Sequence, residues 1–303
     1  MAMPQHFLHL EDIPTEELPG LLDRGASIKS HRLVLDSLAG SGLVLLFEKA
    51  STRTRVSFEV ATRELGGYTL FMTPAESQLG RSEPLRDTAR VLSRYCRGMV
   101  VRTFSQANLR ELASYAEIPV INALSDSFHP CQVLSDLLTI RERTPDLSRV
   151  TVAWIGDGNN VAQSWINAAA KLPFTLFLAC PDGFEPDRDL VNRALGAGAE
   201  IKLTRDPRQA VSAADYVNTD VWASMGQEGE KEERLKRFAP FSLTPELLAH
   251  APAGARVMHC LPAHRGQEIT EEVLESPASI VWDQAENRLH MQKALMEWVF
   301  SKC

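Results

Sequence analysis

Short unbroken runs of apolar residues alternate along this chain with stretches of helical periodicity. That alternation restricts the possible folds more than any other feature. The run Gly42–Phe47 (GLVLLF) reads as a strand buried on both faces, followed by a helix with Val56, Val60 and Leu65 on or near one face. Residues 98–101 and 119–122 (PVIN) read as two more strands. A second series opens at 150–155 (VTVAWI) and continues through 174–179 (FTLFLA), 216–217, 257–258 and 280–282. Apolar strands separated by helices of about 10–15 residues indicate parallel sheets, because each crossover helix covers a sheet face. Between the two series, 141–149 (RERTPDLSR) supplies charge, proline and serine, and a domain boundary is expected there. The chain's 303 residues, at about 150 per domain, also favour two domains. The expected fold is α/β: two domains, 1–145 and 146–283, each with a mostly parallel sheet covered by helices. In the last segment, 284–299, Leu289, Met291, Ala294, Leu295 and Val299 recur with helical spacing. Asp283 stands three residues before Glu286, as in a capping box.

Composition excludes several classes of function. Apolar residues at 44% and charged residues at 23% suit a globular enzyme and not a disordered chain. The formal charge, 32 − 39 = −7, argues against a general nucleic-acid surface but leaves room for a local cationic pocket. The charged run at 228–237 (EGEKEERLKR) is most simply a solvated helix face. The cysteines (Cys96, Cys131, Cys180, Cys260, Cys303) are odd in number and contain no C-x-x-C, so neither a disulfide framework nor a structural zinc site is expected. No apolar run approaches the roughly 18 residues of a membrane span. The opening MAMPQHFLHLEDIP lacks the basic and apolar segments of a signal peptide. A soluble, cytoplasmic, reduced protein with no membrane partner is expected.

Several segments could carry chemistry. In FEKASTRTRVSFE (47–59) a buried strand runs through Ser51, Thr52, Arg53, Thr54 and Arg55 into an amphipathic helix. The free N–H groups and dipole of a helix N-terminus favour an anion, hydroxyls add donors, and guanidinium groups match a phosphate. Anion binding is therefore favoured over the alternative, a helix cap with surface arginines. No G-x-x-x-x-G-K-[ST] run accompanies it, so a Walker-type nucleotide site is unsupported. Arg102 follows the strand GMVV, at the carboxyl end where α/β proteins place ligand residues. His129 and Gln132 open another helix, with Pro130 in its first turn. His129 could donate to a carbonyl or phosphoryl oxygen, or could simply cap that helix.

Residues 154–161 (WIGDGNNV) look like half of a dinucleotide fingerprint. The third glycine is replaced by Val161, and the next strand ends at Ala179-Cys180-Pro181 without a ribose-binding acid, so an NAD site is disfavoured. Asn159 and Asn160 are either helix caps or ligands for the polar head of a small molecule. Asp220 lies just after a strand, where a carboxylate could orient an amine. Leu261-Pro262 is a candidate cis bond directing the Leu261 carbonyl towards a ligand. Cys260 beside His259 suggests a nucleophile pair, but neighbours on a strand point to opposite faces, which argues against it. The histidines show no metal-ligand spacing.

The order of these segments is more specific than any one of them. Ser51-Thr52-Arg53-Thr54, Arg102, His129-Pro130-Cys131-Gln132, Asp220 with Ser224-Met225-Gly226, His259-Cys260-Leu261-Pro262 and Arg288 together resemble the aspartate/ornithine carbamoyltransferase family, over about residues 6–300. The Ser-Met-Gly and His-Cys-Leu-Pro segments are similar to the ornithine branch. The resemblance implies a carbamoyl-phosphate-binding domain, 1–145, completed by the helix at 284–303, and an ornithine-binding domain, 146–283. It also implies an active site in the interdomain cleft, a homotrimer, and no cofactor or metal. It assigns Ser51, Thr52, Arg53, Thr54, Gln78, Arg102, His129, Gln132, Cys260, Leu261 and Arg288 to carbamoyl phosphate. Asn160, Asp220, Ser224 and Met225 fall to L-ornithine, and Arg102, His129, Asp220 and Cys260 to catalysis. Gln78 belongs to a loop that reaches a neighbouring subunit's site in this family, and contacts from Arg81 in that loop are not assigned. The implied reaction gives citrulline, with arginine biosynthesis favoured over the catabolic direction. Alternatives are a sibling acting on putrescine or an N-acylated ornithine, an NAD-dependent dehydrogenase, and a non-catalytic binding protein of the same fold.

Overall fold

The computed structural model describes residues 4–33, 35–76, 83–222 and 231–301. Two compact units are present: Met1–Leu138 with Asn287–Cys303, and Thr139–Glu286.

In the first unit, β1 (Gly42–Phe47), β2 (Tyr68–Met72), β3 (Gly98–Arg102) and β4 (Val120–Leu124) form a parallel sheet in the order β2-β1-β3-β4. All six residues of β1 are buried, which is why its sequence is apolar without alternation. The helices are α1 (Leu18–His31), α2 (Thr52–Glu64), α3 (Leu85–Tyr95), α4 (Gln106–Tyr115) and α5 (Pro130–Arg141). One face of the sheet packs Val44, Leu46, Met99, Val101 and Val120 against Ala89 and Leu92 of α3 and Leu109 and Leu112 of α4. The edge strand β2 is one that apolar runs do not reveal, because Tyr68 and Leu70 on it are exposed. A Cβ on Gly42 would lie 2.8 Å from the tip of the exposed Tyr68 ring, which would have to turn aside for any larger residue there. α2 turns differently from expectation. Thr54, Phe58, Ala61 and Thr62 are buried, whereas Val56 and Val60 are exposed.

The second unit carries β5 (Thr151–Ile155), β6 (Thr175–Ala179), β7 (Glu200–Thr204), β8 (Tyr216–Thr219) and β9 (Arg256–His259), again all parallel, in the order β7-β6-β5-β8-β9. The intervening helices are α6 (Asn160–Ala169), α7 (Arg188–Gly196), α8 (Pro207–Val211), α9 (Lys231–Phe238), α10 (Pro245–Leu248) and α11 (Glu271–Leu274). The chain ends in α12 (Val281–Phe300). Ala153, Ile155, Phe177, Val217 and Val257 of the strands form a core with Val211, Val273 and Leu274 of the helices.

Three expectations are corrected here. Residues 280–282 are not a strand: Ser279 makes one isolated bridge to Val257, and Val281 already starts α12. The apolar run there is the entry to a helix, with Ile280 and Val281 buried and Trp282 exposed, a distinction that a three-residue run does not carry. Because α12 begins at Val281, Asp283 sits inside its first turn and not at the cap. The run at 228–237 is not simply solvated either, since Arg234 on α9 is only 4% exposed.

Both sheets share a topological feature. The first strand of each unit is central, and the chain adds strands to one side of it and then to the other. The direction reverses between β1 and β3 in one unit and between β5 and β8 in the other. At such switch points the loops leaving the strands' carboxyl ends diverge and leave a crevice for a ligand.

Candidate active site

In the first unit, the residues leaving β1 and β3 are the hydroxyl-rich turn and Arg102. β1 and β3 are hydrogen-bonded neighbours with Phe47 paired to Arg102, so Arg102 lies beside the start of that turn. Ser51 caps α2, its Oγ accepting the Thr54 N–H at 3.2 Å. Arg53 is half-buried in the first turn. Arg55 turns elsewhere: it pairs with Glu59 (2.9 Å) and lies 3.6 Å from the centre of the Phe71 ring. Of the two arginines in the turn, only Arg53 remains available to an anion at the helix N-terminus.

Arg288 reaches this region from α12, far away in sequence. Its Nη2 donates to Thr54 Oγ1 at 2.7 Å and its Nη1 donates to Gln132 Oε1. Gln132 Nε2 in turn donates to Asp136 at 2.8 Å. All four side chains are buried. One guanidinium thus joins the first turn of α2 to the first turn of α5, a geometry that suits its planar fork. His129 precedes α5, and its carbonyl accepts the Gln132 N–H at 3.1 Å. Burial holds the His129 imidazole well below the usual histidine range, with Arg288 and then Arg102 adding to the effect. A neutral imidazole beside two cations can donate a hydrogen bond without carrying a charge of its own. Lys49 is also lowered, by burial and then by Arg102, against the opposing pull of Asp126 and Glu48.

In the second unit, Asn159 and Asp220 leave the two strands that flank the switch point. Asn159 Oδ1 caps α6 through the N–H groups of Val161 (2.9 Å) and Ala162 (3.2 Å). Its Nδ2 donates to Asp220 Oδ2 at 3.2 Å, so Asn159 both caps the helix and braces the carboxylate. Asp220 Oδ1 accepts from the Val221 N–H and from the Cys260 thiol, each at 2.8 Å. Asn160 is the first residue of α6.

His259 lies beside this cluster but is held by partners of its own. Its Nε2 lies 3.1 Å from Glu268, both side chains being wholly buried, and its Nδ1 accepts the Leu261 N–H at 2.8 Å. Asp220, His259 and Cys260 present ligand atoms within 4.8 Å of one another, close enough for a divalent ion. The imidazole nitrogens, however, are both engaged in hydrogen bonds. Leu261 has a left-handed backbone (φ 58°), and the Leu261–Pro262 peptide is cis. Gln284 fixes the end of β9, its Oε1 accepting the His259 N–H at 2.9 Å. Neither Gln284 nor Glu268 carries a motif that would reveal its role from sequence.

The Gly156–Gly158 pair has a structural origin. Gly156 has φ +134°, and a Cβ on Gly158 would lie 2.2 Å from the Pro186 nitrogen. Their N–H groups donate to Ala179 and Phe184 carbonyls, so neither is offered to a dinucleotide phosphate. Asp157 between them pairs with Arg234, whose Nε also donates to the Trp222 carbonyl at 2.5 Å. Gln78, Arg81, Ser224 and Met225 lie outside the described residues.

Each unit of this two-domain α/β protein thus carries a cluster at its strand ends, one cationic and hydroxyl-rich and the other built on a carboxylate. A family model described as "Aspartate/ornithine carbamoyltransferase, carbamoyl-P binding domain" matches residues 5–142, and one described as "Aspartate/ornithine carbamoyltransferase, Asp/Orn binding domain" matches residues 148–299. The chain belongs to the aspartate/ornithine carbamoyltransferase family. It is 62% identical over 300 residues to an ornithine carbamoyltransferase of Nitratidesulfovibrio vulgaris strain Hildenborough, covering 99% of this chain and 100% of that one. It is 51% identical over 296 residues to "Ornithine carbamoyltransferase, anabolic" of Pseudomonas aeruginosa, covering 97% and 96%. The solved ornithine carbamoyltransferase of Pyrococcus furiosus superposes with a TM-score of 0.94 at 45% identity, covering 99% and 98%.

Proposed function

We propose that this chain transfers the carbamoyl group of carbamoyl phosphate to the δ-amino group of L-ornithine, giving L-citrulline and phosphate in the biosynthetic direction. The observation that carries this reading is the Arg288 bridge. Thr54, Gln132 and Arg288, which the family resemblance assigns to one substrate, are in hydrogen-bond contact although Thr54 and Arg288 are 234 positions apart. The relative labelled anabolic supports the direction.

Carbamoyl phosphate is already activated and has a good leaving group, so the harder requirement falls on the acceptor. An alkyl ammonium with pKa about 10.4 is only about 0.1% neutral at pH 7.5. Desolvation and nearby guanidinium groups favour the neutral amine. Asp220 by itself would stabilise the ammonium, so its role is orientation, and its bonds to Asn159 and Cys260 fix the direction of the carboxylate. As the amine attacks, Thr54, Arg102 and neutral His129 stabilise the developing oxyanion, each such donor contributing about 3–4 kcal/mol. Gln132 and the Leu261 carbonyl hold the carbamoyl amide. The C–O bond to phosphate breaks as the new C–N bond is completed, and phosphate departs with the proton lost by the attacking nitrogen into the N-terminus of α2, where Ser51, Thr52 and Arg53 receive it. Asn160, Ser224 and Met225 serve the amino-acid end of ornithine.

A homotrimer is part of the same proposal, with Gln78 serving a neighbouring copy. What supports association is an exposed apolar face on adjacent elements of the first unit: Val56 and Val60 of α2, with Tyr68 and Leu70 of the edge strand β2. Such a face at an unpaired sheet edge is a surface for another chain.

The test is a colorimetric citrulline assay with carbamoyl phosphate and, separately, ornithine, putrescine and N-acetylornithine. Ornithine should give the highest kcat/KM. Absence of a ureido product from ornithine would refute the proposal, and preference for another amine would move the chain to a sibling activity.

A further inference from the structure

Glu48 ties the ends of β1 and β3 together, and the proposed reaction does not itself use it. Its backbone N–H donates to the Arg102 carbonyl at 2.8 Å. Its carboxylate Oε2 accepts from Thr103 Oγ1 and from the Phe104 N–H, the latter at 3.1 Å. Thr103 and Phe104 are the two residues directly after Arg102. Thr103 is buried, with its N–H on the Leu124 carbonyl at 3.0 Å. The neighbouring Lys49 places its ammonium 4.1 Å from the centre of the Phe104 ring, a second grip on the same segment.

This grip falls where Arg102, paired in register with Phe47 of β1, loses its regular register on the β4 side. β3 and β4 lose register between Val101 and Arg102: Val101 pairs with Asn122, but Arg102 pairs with Leu124. The extra residue on β4 is a bulge, which bends the local backbone and redirects the adjoining side chains. Arg102 is the last residue of β3, so the direction the chain takes after it depends on what anchors the residues that follow. The Glu48 carboxylate supplies that anchor from the strand on the other side.

We propose that Glu48 is a positioning residue that fixes the exit of Arg102 from β3 and so holds its guanidinium on the carbonyl of carbamoyl phosphate. This rests on the function proposed above. Arg102 cannot stabilise an oxyanion unless its donors stand where the charge develops, and small displacements are costly there.

The test uses the full-length protein and steady-state citrulline formation, with Glu48→Ala, Glu48→Gln and Thr103→Val each made in the wild-type and Arg102→Ala backgrounds. Glu48→Ala should lower kcat about 10- to 100-fold, while the KM for ornithine stays within about twofold. Glu48→Gln should recover most of that loss, because an amide oxygen can accept the same two hydrogen bonds. In the Arg102→Ala background, removing Glu48 should change turnover by less than about twofold, since residues acting through one another are not additive. Undiminished kcat in Glu48→Ala, equal losses in both backgrounds, or a Gln variant as impaired as the Ala variant would each overturn the proposal. If Glu48→Ala does not fold, the Thr103→Val and Arg102→Ala pair gives the same cycle with the same decisive outcomes. A wild-type protein that makes no citrulline would refute the function itself, whereas an active wild type with an indifferent Glu48 would refute this inference alone.

Discussion

His129 provides a prediction whose size follows from its surroundings. Burial and the Arg288 and Arg102 guanidinium groups hold its imidazole well below the usual histidine range in the folded chain. In the unfolded chain the same residue titrates near pKa 6.5. As pH falls below about 6.5 the unfolded chain takes up a proton that the folded chain refuses, so stability is lost on acidification. For a folded state that stays neutral, the loss is RT ln(1 + 10^(6.5 − pH)), about 0.1 kcal/mol at pH 7.5 and about 1.4 kcal/mol at pH 5.5. The substitution His129→Gln removes this titration while keeping a hydrogen-bonding side chain. Urea unfolding at pH 7.5 and pH 5.5, at one protein concentration, measures the effect. The wild type should lose about 1 kcal/mol more than the variant between the two pH values. His6, which burial also lowers, is present in both proteins and cancels. Parallel losses in wild type and variant would show that His129 takes up its proton as readily in the folded chain as in the unfolded one, and the reading that burial and the two guanidinium groups resist its protonation would fall with that result.

Three further outcomes are expected. Arg102→Ala should lower kcat at least about 100-fold by removing an oxyanion donor, and unchanged turnover would exclude Arg102 from the chemistry. Arg234→Leu leaves Asp157 without its buried ion-pair partner and should cost about 3 kcal/mol in urea unfolding; a loss below about 1 kcal/mol would show that the pair contributes little. Burial pushes the Cys131 thiol up to about 12 and also raises Cys180, so at pH 8 neither should react with iodoacetamide in the native protein. Peptide mapping by mass spectrometry would reveal a contrary result directly.

The central strands were legible in the sequence because burial on both faces demands unbroken apolar runs. The edge strands β2 and β7 were not, because the same criterion passes over them. Glu200, Lys202 and Leu203 of β7 are exposed, as are Tyr68 and Leu70 of β2. The helix that carries Val56 and Val60 shows the converse error: apolar residues with helical spacing marked an exposed face, while Thr54 and Phe58 turned inward. At the site, the residues recognised from motifs stand on strand ends and helix starts, where local chain chemistry already distinguishes them. Glu48 and Gln284 act through partners distant in sequence, so nothing local distinguishes them.

The sequence by itself determined two parallel-sheet α/β domains and the hydroxyl, cationic and carboxylate segments that follow their strands, because strand burial, helix initiation and anion affinity are short-range properties of a chain. Tertiary structure alone decided strand order, and with it the switch points that bring Arg102 beside the β1 turn and Asp220 beside the α6 cap. It also brought Arg288 onto Thr54 and Gln132. Such partners are chosen by shape and by the need to satisfy buried polar groups, and those constraints exist only once the chain has packed.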